Sequence, residues 1–127
     1  MTGYVGDIEE ITEKNTNFRQ VLFTGKYCQL VVMSLKPKEE IGMEVHPRVD
    51  QFFRIEEGRA RVIIDGEEHS VGDGDAIIVP AGSQHNVINI SETEDLKLYT
   101  VYSPPNHPEG TVHKTKEEAM AAEEAEH

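Results

Sequence analysis

Hydrophobic and polar positions alternate along the chain within short apolar segments that are separated by turn-forming residues. The clearest apolar run covers residues 27–35 and is rich in valine and leucine. Within residues 59–65, alternation places Ala60, Val62 and Ile64 on one face of a strand, because successive strand side chains point to opposite faces of a sheet. The same pattern predicts further strands at residues 52–56, 68–71, 76–79, 86–90 and 96–102.

Turn residues divide these strands at regular intervals. The chain has 10 glycines and 6 prolines, and the Asp-Gly pair at residues 65–66 is typical of a tight turn between neighbouring strands. Roughly seven to nine short strands at a spacing of about 8–12 residues indicate an all-β fold, either a sandwich or a barrel. Since no internal repeat or linker divides the sequence, we expect one domain over residues 1–127.

Two segments with helical character flank this β-region. Residues 7–14 predict a short helix or an irregular edge. Near the C-terminus, Thr115 can cap a helix and Glu118 follows it as in a capping box, ahead of an alanine-rich stretch. This pattern predicts a helix over about 115–126, which we expect to lie on the surface because it lacks a wide apolar stripe.

The balance of charges narrows the classes of partner. The sequence has 24 acidic residues against 12 lysines and arginines, a net charge of −12. Because nucleic-acid binding needs a positive surface, we expect no nucleic-acid partner. With no signal-peptide pattern and no long apolar run, we expect a cytoplasmic protein without a membrane partner. Cys28 is the single cysteine, and we interpret it as a small buried residue.

The most specific pattern in the sequence surrounds a histidine. Gly74 is followed after five residues by Pro80, then after one by Gly82, after two by His85 and after three by Asn89. Proline is tolerated at the end of a strand and glycine permits a tight reversal, so the chain re-enters the sheet at the histidine. The spacing resembles the second motif of the cupin family at every fixed position. This resemblance implies an antiparallel double-stranded β-helix, or jelly-roll barrel, which commonly holds a metal ion.

A second stretch resembles the first cupin motif, with two departures. That motif supplies two histidines separated by one residue, then a glutamate, then a glycine. Counting back from Gly58 places Gln51 at the glutamate position, His46 at one histidine position and Glu44 at the other. The resemblance therefore implies a metal site formed by Glu44, His46 and Gln51 together with His85.

A set of this composition offers four nitrogen and oxygen ligands. It suits a divalent ion of zinc, manganese, iron or nickel, among which the sequence does not distinguish. An amide is a weaker ligand than a carboxylate, so Gln51 could instead hydrogen-bond a water or a substrate. In another register, Asp50 would replace it. Glu44 could instead form an ordinary rim ion pair with Arg48 or Arg54.

Two residues near this set are candidates for catalysis. Glu44, if it is not a ligand, is the candidate general base, because a carboxylate in an apolar barrel can have a useful pKa. Arg48 stays protonated and is suited to bind a substrate carboxylate or phosphate.

His107 and His113 lie in a proline-rich segment that could fold over the barrel mouth, although histidines in such segments are usually exposed.

The cupin resemblance alone does not select one reaction, since one fold hosts many functions. The ligand types are similar to those of zinc phosphomannose isomerases of the cupin superfamily, although Glu and Gln occupy swapped positions. This similarity favours Lewis-acid chemistry on a small polar metabolite, as in a sugar-phosphate isomerase. A metal-dependent dioxygenase is one alternative, and a non-enzymatic small-molecule or metal-binding module is another. The resemblance also implies a homodimer.

Overall fold

A computed structural model describes residues 3–125, which form two antiparallel sheets and two short helices. In chain order the elements are α1 (Ile8–Lys14), β1 (Arg19–Thr24), β2 (Gln29–Leu35), β3 (Glu44–Val45), β4 (Asp50–Glu57), β5 (Ala60–Ile64), β6 (Glu67–Val71), β7 (Ala76–Val79), β8 (Gln84–Asn89), β9 (Leu96–Ser103), β10 (Val112–His113) and α2 (Lys116–Ala125). Every strand predicted from alternation is confirmed, with ends that differ by at most two residues. The pattern did not predict β1, which mixes polar and apolar residues, or the two-residue β10.

The strand order confirms the predicted antiparallel barrel of jelly-roll type. One sheet has the order β10-β1-β2-β9-β4-β7 and the other has the order β3-β8-β5-β6. Pairs that are distant in sequence, such as β2 with β9 and β5 with β8, join in these sheets. The inward faces enclose a hydrophobic core whose largest apolar side chains include Met33, Leu35, Phe53, Ile55, Leu96 and Leu98.

The hairpin between β5 and β6 sets the register of the smaller sheet. Asp65 and Gly66 both have positive φ, 48° and 83°, as expected for the tight turn that the Asp-Gly pair predicts. Ala60 and Val62 are fully buried, and Ile64 packs against the core, which confirms the predicted inward face of β5. The other edge of β5 pairs with β8, the strand of the second motif.

The interpretation of Cys28 as a buried residue is wrong, because its side chain is exposed. β2 begins one residue later, at Gln29, and Gln29 is fully buried instead. Cys28 lies in the turn between β1 and β2, where its carbonyl accepts the N–H of Gly25 at 2.8 Å. Cys28 therefore precedes the paired strand and is not held against the core, whereas Gln29 and Val31 share the buried face of β2.

The N-terminal helix takes the first of the two forms that the sequence allowed. Asp7 caps α1 by accepting the N–H of Glu10 at 3.2 Å. The helix packs against β2, β4 and β9 and so lies outside the larger sheet. None of the helices in residues 3–125 has the length and apolar character that a membrane-spanning segment needs.

The C-terminal helix α2 packs on the barrel. Its first turn is capped by Thr115, whose hydroxyl accepts the N–H of Glu118 at 3.1 Å, as the sequence predicts. Ala119 is only 2% exposed, and Glu123 forms an ion pair with Arg19 of β1 at 3.7 Å. The predicted extension of the helix to residue 126 lies outside the described residues.

Candidate metal centre

Three potential ligands, Glu44, His46 and His85, converge where β3 and the loop after it meet β8. The Oε2 atom of Glu44 lies 3.0 Å from Nε2 of His46 and 4.0 Å from Nε2 of His85. One potential ligand atom from each residue lies within 4.8 Å of the other two, and the two imidazole centroids are 5.4 Å apart. One ion could therefore contact all three side chains.

Strand pairing explains this convergence. Glu44 and His85 are direct partners across β3 and β8. His46 follows two residues after Glu44, so alternation carries it to the same side. Gly82 donates its N–H to the carbonyl of His46 at 2.9 Å, and its φ of 89° lies in the region that favours glycine. The glycine of the second motif thus anchors the histidine of the first.

His85 has the tautomer and charge that a metal ligand requires. Its Nδ1 lies 3.2 Å from the carbonyl oxygen of Ser83, which can only accept a hydrogen bond, so Nδ1–H donates and Nε2 presents a lone pair. That Nε2 is buried and has no hydrogen-bond partner within residues 3–125. Burial lowers the pKa of His85 below its usual value, in spite of opposing effects of Ser83 and Glu44, and this favours the neutral ring.

Gln51 offers a second buried acceptor beside this cluster. It is 2% exposed and lies opposite Tyr102, whose ring centroid is 5.9 Å from that of His46. Its Nε2 donates to Thr100 Oγ1 at 3.0 Å, while its Oε1 has no hydrogen-bond partner in the described part of the chain. Buried polar atoms without partners are costly. The unpartnered atoms of Gln51 and His85 therefore fit a site that accepts a cation.

The electrostatics of Glu44 favour the role of a ligand. Burial alone would raise the pKa of this carboxyl group, but the hydrogen bond with His46 and the charges of His46, Arg19 and His85 outweigh it. The pKa of Glu44 is therefore held below its usual value, and the group is a carboxylate at neutral pH. A carboxylate with a lowered pKa is a weak base, which argues against the general-base role that the sequence also allowed.

His107 reaches the site through Tyr102. Its Nε2 lies 3.1 Å from the Tyr102 hydroxyl oxygen, and the two rings meet edge to face with centroids 5.1 Å apart. Burial lowers the pKa of His107 to about 3, and the charge of Arg19 acts in the same direction. Burial also raises the pKa of Tyr102. At neutral pH, a neutral imidazole therefore faces a protonated phenol behind His46.

Gln29 holds the proline-rich segment in this position. Its Nε2 donates to the carbonyl of His107 at 2.8 Å and to Thr24 Oγ1 at 2.9 Å. Its Oε1 accepts the N–H groups of Asn106 and His107 at 3.1 and 2.9 Å. The sequence contains no spacing signal for this contact, because Gln29 and His107 are 78 residues apart.

The other sequence candidates lie outside the cluster. Asp50 is exposed, and its Oδ1 accepts the N–H of Ala81 at 2.8 Å, so the alternative register with Asp50 as a ligand is wrong. The alternative rim ion pair of Glu44 is not found within residues 3–125, since Arg54 instead pairs with Glu56 at 3.1 Å. Arg48 is exposed in the loop between β3 and β4, and its assignment to substrate binding stays a prediction.

Comparison with known proteins finds one matching family and several similar proteins. Residues 31–102 match the family described as "Cupin domain". The protein YrkC of Bacillus subtilis is 51% identical over an alignment of 127 positions. This alignment covers 95% of this chain and 68% of YrkC. The crystal structure of BH2720 from Bacillus halodurans has a TM-score of 0.90 and 46% identity, covering 93% of each chain. KdgF from Halomonas sp. shares the fold at 20% identity, with a TM-score of 0.64 over 69% of this chain and 78% of KdgF.

Proposed function

Because this chain belongs to the cupin family, we propose that it binds one divalent metal ion and acts on a small polar metabolite. The ion would contact Glu44 Oε2, His46 Nε2 and His85 Nε2, with Gln51 Oε1 as a fourth ligand or as an acceptor for a bound water. The observation that carries this proposal is the convergence of three ligand atoms within 4.8 Å, one of which, His85 Nε2, is buried without a partner in the described residues, beside the equally unpartnered Oε1 of Gln51.

The side chains around the cluster would prepare the site for this role. When bound, a divalent ion supplies Lewis-acid character that polarises a substrate carbonyl. The Ser83 carbonyl keeps Nε2 of His85 free of a proton, and Thr100 orients the amide of Gln51 so that its oxygen is available. The Tyr102 hydroxyl remains protonated, since burial raises its pKa. These features support a reaction of the sugar-phosphate isomerase type, in which a carbonyl substrate must be held and polarised.

Metal analysis of purified variants tests the site. We expect wild-type protein to bind about one equivalent of divalent ion, and His46→Ala, His85→Ala and Glu44→Gln to lose it. His69→Ala is the matched control, because His69 lies exposed on β6 outside the cluster. Circular dichroism establishes that each variant is folded. Unchanged metal content in folded His46→Ala and His85→Ala would show that the ion binds elsewhere.

The reaction class is tested with metal-loaded protein in deuterated water. Incorporation of solvent deuterium beside the carbonyl of an aldose or ketose phosphate supports the isomerase-like reaction. Oxygen uptake by iron-loaded protein with candidate substrates would instead support the dioxygenase. Stoichiometric metal binding with neither activity would favour the non-enzymatic binding module. The loss of either activity in His85→Ala, but not in His69→Ala, assigns it to this site.

We also propose that the protein is a cytoplasmic homodimer, as its family resemblance implies. Light scattering coupled to size-exclusion chromatography tests the oligomeric state. A mass of about twice the 14.3 kDa of one chain is expected, and a monomer mass at micromolar concentration contradicts the proposal. Localisation of a fluorescent fusion in cells tests the compartment.

A further inference from the structure

Arg19 is a buried cation that the proposed metal site does not use. Arg19 is the first residue of β1, and its side chain is only 2% exposed. Its burial and that of Val21 place it on the inward face of the strand, since Val21 belongs to the hydrophobic core. Burying a guanidinium group requires compensating hydrogen bonds or an anion, because the charge loses its hydration.

The contacts of Arg19 leave this requirement only partly met. Its Nη1 lies 3.4 Å from Nδ1 of His113 and 3.7 Å from a carboxylate oxygen of Glu123. A charge-assisted hydrogen bond between guanidinium and carboxylate is usually about 2.7–2.9 Å long, so the Glu123 pair is loose. Glu123 is also 48% exposed, and the Nε of Arg19 has no hydrogen-bond partner in residues 3–125.

The charge of Arg19 reaches two side chains behind the candidate metal centre. After burial, it is the next cause that lowers the pKa of His107, and it is the largest effect that opposes burial at Tyr102. The guanidinium therefore lies within electrostatic reach of Tyr102 and His107, the pair that packs against His46.

We propose that Arg19 binds the oxyanion group of a substrate, and that Glu123 pairs with Arg19 only until the substrate displaces it. A carboxylate or phosphate can bond Nε and one Nη together, an arrangement that Glu123 at 3.7 Å does not form. The inference rests on the proposed function only in assigning this anion to the substrate of the metal site. It narrows the substrate class to small metabolites that carry a carboxylate or phosphate.

Titration with inorganic phosphate and with malonate tests the assignment. The Nε–Hε resonance of Arg19 in ¹⁵N NMR spectra should shift and saturate with at least one of the two anions, and the stronger binder identifies the anion class. Arg19→Gln should weaken binding by about tenfold or more, since hydrogen bonds to charged groups contribute at this level. Arg61→Gln is the matched control, because Arg61 is half exposed on β5 and pairs with Glu68.

Glu123→Gln keeps the test decisive if the buried Arg19 variant does not fold. Because Glu123 lies on the surface of α2, its variant should fold and should bind the anion about two- to fivefold more tightly. Unchanged or weaker binding by Glu123→Gln, or the absence of a shift at Arg19 Nε, overturns the proposal. A loss of binding in Arg48→Gln without any loss in Arg19→Gln also overturns it and returns the role to Arg48.

The metal content of the same samples separates this proposal from the proposed function. Anion binding at Arg19 in protein that takes up no metal would preserve the anion site and contradict the metal centre. Stoichiometric metal uptake without anion binding at Arg19 would preserve the metal centre and contradict the anion site. Both measurements use the full chain.

Discussion

The imidazole Nε2 of His107 lies 3.1 Å from the hydroxyl oxygen of Tyr102 and links a segment outside the sheets to the centre of the barrel. Tyr102 in turn meets the ring of His46 edge-on. The contact between His107 and Tyr102 therefore supports the position of His46, a candidate metal ligand from the first half of the chain.

His107 should make the stability of the metal-free protein depend on pH. Burial lowers its pKa from 6.5 to about 3, so between these values the unfolded chain binds a proton that the folded chain does not. The contribution of His107 to the free energy of unfolding is fully present above pH 6.5. It decreases as the pH falls below this value, by at most ~1.4 kcal/mol per pH unit. Urea denaturation at pH 7.5, 6.5 and 5.5 should show a shallower decline for His107→Gln than for wild type.

The control for this measurement is His69→Gln, because His69 is exposed. It should keep the wild-type slope. His85 contributes a dependence of the same sign, since burial lowers its pKa too, and the difference between wild type and His107→Gln isolates the His107 contribution. Equal slopes for wild type and His107→Gln would contradict the prediction.

Gln29→Leu should release the proline-rich segment. The substitution removes the hydrogen bonds that join Gln29 to Asn106 and His107 and leaves those part-buried backbone groups without their partner. We expect a loss of ~2–4 kcal/mol in the free energy of unfolding and faster proteolysis within residues 104–110. The exposed Gln84→Leu is the control. Unchanged proteolysis of Gln29→Leu would show that other contacts hold the segment.

Substitution of Gln51 should change metal affinity in two directions. Gln51→Leu removes the buried Oε1 and should weaken metal binding by about 10- to 100-fold, as for other groups in or next to a metal's ligand set. Gln51→Glu adds a charged ligand and should strengthen it, while the metal-free protein loses stability because a carboxylate is buried without a cation. Competition with a fluorescent chelator measures both affinities. Equal affinities in all three proteins would remove Gln51 from the site.

Gly58→Ala should destabilise the turn that ends the first motif. Gly58 has a φ of 111°, and an added Cβ would lie 3.1 Å from the carbonyl oxygen of Asp95. We expect a loss of ~1–3 kcal/mol from backbone strain and this close contact, measured by thermal or urea denaturation. Gly72→Ala is the control, since its Cβ would meet nothing closer than 3.6 Å. A comparable loss in the control would mean that strain at Gly58 is not the cause.

Local rules account for the part of the fold that the sequence predicted. Alternation placed Ala60 and Val62 inward, and the Asp-Gly pair adopts the positive φ that its turn requires. The interpretation of Cys28 failed because the apolar run begins at residue 27, whereas β2 begins at Gln29. The pairing of Thr24 in β1 with Gln29 in β2 decides where the strand begins.

The sequence by itself determined most of the strands, the turn glycines and the residues that can serve as ligands, because these depend on neighbours within a few positions. The tertiary structure alone decided that Gln51 faces inward and Asp50 outward at the site, and that Glu44 contacts His46 and His85 rather than an arginine. It also brought together Arg19 with residue 113 and Gln29 with residue 107. Such contacts depend on which strands lie side by side, and no local pattern specifies pairing across 78 or 94 residues.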